Sequence, residues 1–284
     1  MAGTITHLKI GQEVYSKIQI ELDYNTFITA CQGHDIMYFI KLKNLKNFLY
    51  IKKITKKIQK TKINDFIKLY EKKIIENEND IYLKSFLYGY ITHHISDSIF
   101  HPYIIYKCGL TTKHSWLENY IDYSFDDKIT YKNFPKLKKN SLLDKITYDT
   151  LSEVYTEEIA KIFISNFYNI RHFWHLYRED KFGIKKIFYK LFDKIFKTDI
   201  SYISYNYKHK IDLTKKEKWH HPIDNEEFTS SVLDLYHKSI VKSVNIIKKM
   251  DKNLQKQKII EFENISSISG KDCSVKPKYR YFEN

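Results

Sequence analysis

The chain has 284 residues, room for one large domain or two small ones, and a formal net charge of +14. With 43% hydrophobic and 16% aromatic residues it is too apolar to be disordered, and its 7 glycines and 4 prolines exclude collagen-like and linker-type chains. Arg171, Arg178 and Arg280 are the only arginines. The charge is thus nearly all lysine, which AT-rich codons supply without selection for a polyanionic partner; few arginines make nucleic acid the less favoured target.

The N-terminal stretch from Met1 to His7 lacks the basic and apolar pattern of a signal peptide, and no run approaches the ~18 apolar residues of a membrane span. Cys31, Cys108 and Cys273 are too few and oddly numbered for a disulfide framework. These features predict a cytoplasmic protein. Along the chain, Leu42 to Tyr70 reads as one or two lysine-faced amphipathic helices. Asn79 or Asp80 can cap a helix from Ile81 to about Phe100, where Pro102 removes a donor and is expected to end it. Helical stripes follow at Leu151, Val154, Tyr155, Ile159, Ile162 and Phe163, and at Ile184, Ile187, Phe188, Leu191, Phe192, Ile195 and Phe196. Lys185, Lys186, Lys190 and Lys194 lie off the second of these. A last stripe runs through Val232, Leu235, Tyr236, Ile240, Val244 and Ile247, and Tyr202 to Tyr207 is the best strand candidate. The expectation is one all-α, multi-helix domain over 1–262, followed by an irregular tail over 263–284 that carries Gly270 and Pro277.

The histidines cluster. His93 and Asp97 are four residues apart, which on a helix puts both on one face with Cβ atoms about 5–6 Å apart, and His101 follows four later. His114 and Glu118 repeat the spacing, as two helices facing a common cleft would to build a metal site. A surface ion pair explains one such pair, and a buried hydrogen-bonded network is the alternative to a metal. However, Asp97 sits among Phe86, Leu87, Ile91, Ile95, Ile99 and Phe100, where an ionised carboxylate costs several kcal/mol without a partner. Imidazole with carboxylate and no thiolate suits Zn²⁺, with Mn²⁺ or Fe²⁺ also possible, and the spread over several segments suits a multinuclear hydrolytic site. His7 and Asp35 are two further candidates, each also readable as an ordinary cap or turn residue. His172 and His175, flanking Trp174, read as packed core residues, His220 and His221 before Pro222 as loop, and His209 and His237 as surface residues.

The run His114-Ser115-Trp116-Leu117-Glu118-Asn119-Tyr120-Ile121-Asp122, the pair His93 and Asp97, then His101-Pro102, with His7 and Asp35 earlier in the same order, resembles the zinc-dependent phospholipase C family of low-GC Gram-positive bacteria. The resemblance covers residues 1–122 by motif. It implies a helical fold, shared with single-strand nucleases, and one to three zinc ions. It also implies hydrolysis of a phospholipid phosphodiester by activated water. The lysine faces read first as solvated helix surfaces, with peripheral contact to an anionic membrane as the second reading. Carried over, Asp35, His93 and Asp97 would hold one zinc and His101, His114 and Glu118 a second, with His7 and a bridging Asp97 holding a third. Asp35 would also be the catalytic residue that orients or deprotonates the water. The sequence departs from the family in three ways. It has no N-terminal tryptophan, and no histidine between Asp35 and His93, so that His34 or His94 would have to substitute. Asp97 and His101 are also closer together than the family's corresponding pair. A nuclease-like phosphodiesterase, or a non-catalytic metal- or lipid-binding helical protein, are the alternative functions.

Overall fold

A computed structural model describes residues 3–38, 63–110, 112–126, 128, 131–177, 184–196 and 210–273. Its helices are α1 (Thr4–Ile18), α2 (Tyr24–Ala30), α3 (Ile63–Glu76), α4 (Ile81–Cys108), α5 (Thr112–Phe125), α6 (Ser141–Val154), α7 (Glu157–Tyr177), α8 (Ile184–Phe196) and α9 (Val232–Leu254). A 3₁₀ turn spans Gly33–Tyr38, another Tyr131–Asn133, and strands β1 (Glu217–His220) and β2 (Glu227–Ser230) form an antiparallel hairpin. Among the described residues the architecture is all-α apart from that hairpin. No described helix is long and apolar enough to cross a membrane.

Short polar side chains start most of these helices. Asp23 accepts from the Thr26 N–H, Asp80 from the Tyr82 and Leu83 N–H groups, and Asn140 from the Leu143 N–H, while Ser231 and Asp234 form a reciprocal capping box on α9. α1 has no side-chain cap of its own. Its first-turn donors instead find Asp122, on α5: the carboxylate accepts from the Ile5 N–H (3.1 Å), the Thr6 N–H (2.9 Å) and the Thr6 hydroxyl (2.8 Å). A Cβ on Gly3 would collide with that carboxylate, so the close approach requires glycine.

α4 is the axis of the molecule. It is buried on every side from Ser85 to Ile105, as a helix surrounded by others must be. An aromatic cluster of Phe66, Tyr70, Phe86, Tyr90, Phe163 and Phe167 packs α3 and α7 onto it. On the opposite flank, Asp251 of α9 receives Lys84 Nζ at 2.7 Å and the Tyr88 hydroxyl at 3.0 Å.

Four expectations need correction. α4 does not stop near Phe100 but runs through Pro102 to Cys108. Pro102 cannot donate to the Ser98 carbonyl, a loss on the order of 1 kcal/mol, which burial of Tyr103, Ile104 and Ile105 outweighs. Gly270, at φ +64°, lies directly against that carbonyl; a Cβ there would come within 2.5 Å of its oxygen. The Leu151–Phe163 stripe is two helices, because the chain breaks after Val154 and Thr156 restarts it by capping the Ile159 N–H at 3.3 Å. His172 is exposed rather than packed in the core. His220 ends β1 instead of lying in a loop. Residues 42–62 of the first lysine-faced stretch, Tyr202 to Tyr207 and His209 lie outside the described residues, as does the side chain of His175. His237 is exposed, as its sequence position implies.

Glu71 on α3 is fully buried, with the Ile260 N–H at 3.5 Å, and burial pushes its carboxyl up to about 7. The folded chain therefore holds this proton more tightly than the unfolded one, whose carboxyl titrates near 4.5, and stability falls as pH rises through that window. Glu71→Gln should raise the melting temperature by about 3–6 °C at pH 8 and leave it nearly unchanged at pH 4. Thermal melts at the two pH values check this; an equal shift at both would rule it out.

Candidate metal centre

The four-residue spacing on α4 places His93, Asp97 and His101 along one face of a buried helix, and all three are at most 2% exposed. The turn after α2 brings the next ligands. Gly33 has φ +49°, a left-handed conformation that glycine adopts without strain, and a Cβ there would strike the His93 ring. This close pass delivers His34 and Asp35 onto α4. Gln32 Nε2 donates to the Thr4 carbonyl (3.2 Å) and Asn166 Nδ2 to the Ile36 carbonyl (2.8 Å), bracing the turn from α1 and α7.

His34, Asp35, His93 and Asp97 each offer a ligand atom, all within 4.8 Å of one another. His93 Nε2 lies 3.3 Å from Asp97 Oδ2, 3.2 Å from His34 Nδ1 and 3.9 Å from Asp35 Oδ1. His34 Nε2 is 3.6 Å from Asp35 Oδ1 and 3.7 Å from Asp97 Oδ2. Ligands bound about 2.1 Å from a tetrahedral ion are separated by roughly 3.4 Å, and the pairs above span 3.2 to 3.9 Å. His7 of α1 faces the other oxygens of both acids, Asp97 Oδ1 at 3.2 Å and Asp35 Oδ2 at 3.9 Å. Each aspartate therefore presents one oxygen to the His34–His93 side and one to His7, the arrangement of a carboxylate that bridges two ions.

A second group lies one α4 turn further on, with α5 beside it. His114 Nε2 is 2.9 Å and His101 Nε2 3.9 Å from Glu118 Oε1, and these three residues can also converge on one ion. The segment after α9 orients His101 of this group and two histidines outside it. His101 Nδ1 bonds the Ser267 carbonyl at 2.5 Å, fixing the tautomer in which Nδ1 carries the proton and Nε2 is the free donor toward the cluster. His94 Nε2 bonds the Ile265 carbonyl (2.7 Å) and His221 Nε2 the Ser269 carbonyl (2.9 Å). Alternate carbonyls of a single buried stretch thus engage histidines from α4 and from the end of the hairpin.

Burial lowers His34 to about 3 and His93 well below the ordinary value, even with Asp97 opposing it, so both imidazoles are neutral near pH 7. Burial works against Asp97, but the facing His93 and His7 hold its carboxyl below the usual range. Glu118 is likewise lowered despite its burial, with the facing His114 among the causes. Neutral His34 and His93 beside the ionised Asp97 leave a net negative charge there, which suits a divalent cation.

The structure brings all seven sequence candidates, His7, Asp35, His93, Asp97, His101, His114 and Glu118, into these two groups. Of the two histidines that the sequence offers as substitutes, His34 lies in the first group and His94 turns away toward Ile265. The Gly33–His34–Asp35 order was the available signal for His34, since the turn that presents Asp35 necessarily carries its neighbour. Asp122, the last residue of the His114 run, has no role assigned from the sequence; its contribution is to seat α1 and hence His7. The donor set fits a metal: His34 Nε2 is buried without a hydrogen-bond partner, at ligand-to-ligand distances from both acids.

Comparison with known proteins agrees with this geometry. The family model described as zinc dependent phospholipase C matches residues 6–168, more than half of the 284-residue chain. Both histidine–acid groups fall inside the match. No curated protein and no solved structure matches the chain.

Proposed function

From the premise that this chain belongs to the zinc-dependent phospholipase C family, we propose that it is a phosphodiester hydrolase of phospholipase C type, acting on phospholipid at the two groups just described. The observation that carries this reading is the meeting of His34, Asp35, His93 and Asp97 at coordinating distances beneath a turn that only glycine permits. His34, Asp35, His93 and Asp97 would hold one zinc, His101, His114 and Glu118 another, and His7 with the outer oxygens of Asp97 and Asp35 a third. Bound zinc supplies Lewis acidity, neutralising the phosphate oxygens and making a water acidic enough to attack near neutral pH.

The chain's own residues do the remainder. Asp35 is the carboxylate to orient the attacking water and take its proton, because one of its oxygens faces each side of the site and its side chain, 8% exposed, sits on the turn after α2, whereas that of Asp97 is wholly buried inside α4. Asp97, with 0% exposure, is the fixed anionic anchor. The Ser267 carbonyl takes the Nδ1 proton of His101 and leaves its Nε2 free, and burial keeps His34 and His93 neutral, so each of those two rings retains one nitrogen without a proton. The protein should be purified, dialysed and analysed for metal by mass spectrometry, then assayed on phosphatidylcholine and on single-stranded DNA. At least one equivalent of zinc is expected, with release of diacylglycerol that stops on chelation and returns with added zinc. Less than one equivalent, or turnover of DNA alone, would overturn the phospholipase reading.

A further inference from the structure

We propose that α8 is an interfacial helix that seats the protein on an anionic phospholipid bilayer, an inference that rests on the phospholipid reading above and names how the substrate surface is reached. α8 lies outside the family match, and nothing in the metal groups uses it. Its apolar residues face outward. Ile184 is 68% exposed, Ile187 72%, Phe188 59% and Leu191 58%. Positions i, i+3, i+4 and i+7 fall on one ridge of a helix. Tyr189 is 5% exposed and points into the protein about 140° round from Ile184, so the helix is held by one side and offers the other. A row of four large apolar side chains left in water is costly for a folded protein and marks a docking face.

The charge beside the ridge selects the occupant. Lys190 and Lys194 are both exposed on one flank of it, and the helix carries four lysines against one acid, Asp193. This is the composition of a helix lying in a membrane interface, with its apolar side chains among the acyl chains and its lysine stems reaching the headgroups. A second copy of the chain would bring the same lysine-flanked ridge against its like, in a protein of net charge +14, whereas an anionic bilayer complements both the ridge and the flank.

Co-sedimentation of the full-length, zinc-loaded protein with vesicles tests this, using phosphatidylcholine alone and phosphatidylcholine with about one third phosphatidylserine. The wild type should bind the mixed vesicles and bind the neutral ones several-fold less. I187E/F188E should lower binding by about tenfold or more, and K190E/K194E should lower it several-fold while flattening its salt dependence. Both variants change exposed positions, and circular dichroism verifies that they stay folded. Wild-type binding by I187E/F188E, or no binding by the wild type, overturns the assignment. So does a wild-type dimer that the substitution makes monomeric in sedimentation equilibrium, which would give the ridge to a second copy. Turnover of a short-chain phosphatidylcholine below its micellar concentration separates the two readings. It should be equal in wild type and I187E/F188E; its absence from a wild type that still binds vesicles would defeat the phospholipase reading and leave the helix assignment standing.

Discussion

Asp97→Asn should lose at least one equivalent of bound zinc and about a thousandfold or more of phosphodiester hydrolysis, roughly 4 kcal/mol of transition-state stabilisation. The expectation follows from where the side chain sits. One oxygen faces His93 and His34, at 3.3 and 3.7 Å, and the other faces His7 at 3.2 Å, so one carboxylate serves three imidazoles from three separate segments. Asparagine keeps the shape but removes the charge and replaces one oxygen with an amide nitrogen that cannot ligate. Asp35→Asn is the informative contrast. Being slightly more exposed than Asp97 and assigned to the water, it should cost about 10²–10⁴ in turnover with a smaller loss of metal. Metal content and steady-state rates on both variants check the pair; an Asp97→Asn protein that is zinc-replete and active would refute the arrangement.

Asp122→Ala should lower stability by about 3 kcal/mol, a drop of about 6–12 °C in melting temperature. The carboxylate is fully buried and accepts three hydrogen bonds from the start of α1. Removing it strands two buried N–H groups and a hydroxyl, each of which then bears its own desolvation cost. Those donors begin the helix turn that holds His7, so bound zinc should fall as well, by up to one equivalent. Differential scanning calorimetry with metal analysis measures both effects. A loss of a few tenths of a kcal/mol would mean that α1 is capped adequately by other means.

The helices are legible in the chain because their signals are local. Apolar periodicity and the capping residues Asp80 and Ser231 act within one or two turns, and α4 and α9 begin where those residues place them. The His93–Asp97 and His114–Glu118 pairs are legible for the same reason, since helical spacing alone puts each pair on a shared face. Where the reading fails, a distant segment intervenes. Pro102 is tolerated because the core that buries Tyr103, Ile104 and Ile105 holds the helix through it. The apolar stripe at Ile184 predicts a helix but not which way its face points; only the packing of Tyr189 inward shows that the ridge is left in solvent.

What the sequence by itself determined is the helical class, the face on which each acid and imidazole sits, and the family resemblance carried by their order. What only the tertiary structure decided is which groups meet. The 3₁₀ turn at Gly33 brings His34 rather than His94 to His93, Asp122 caps a helix more than a hundred residues earlier, and Ser267 fixes the tautomer of His101 from the far end of the chain. The physical reason is one of range. Backbone hydrogen bonding and helical period act over a few residues, whereas coordination distances of three to four ångströms depend on how whole helices pack, which no local pattern encodes.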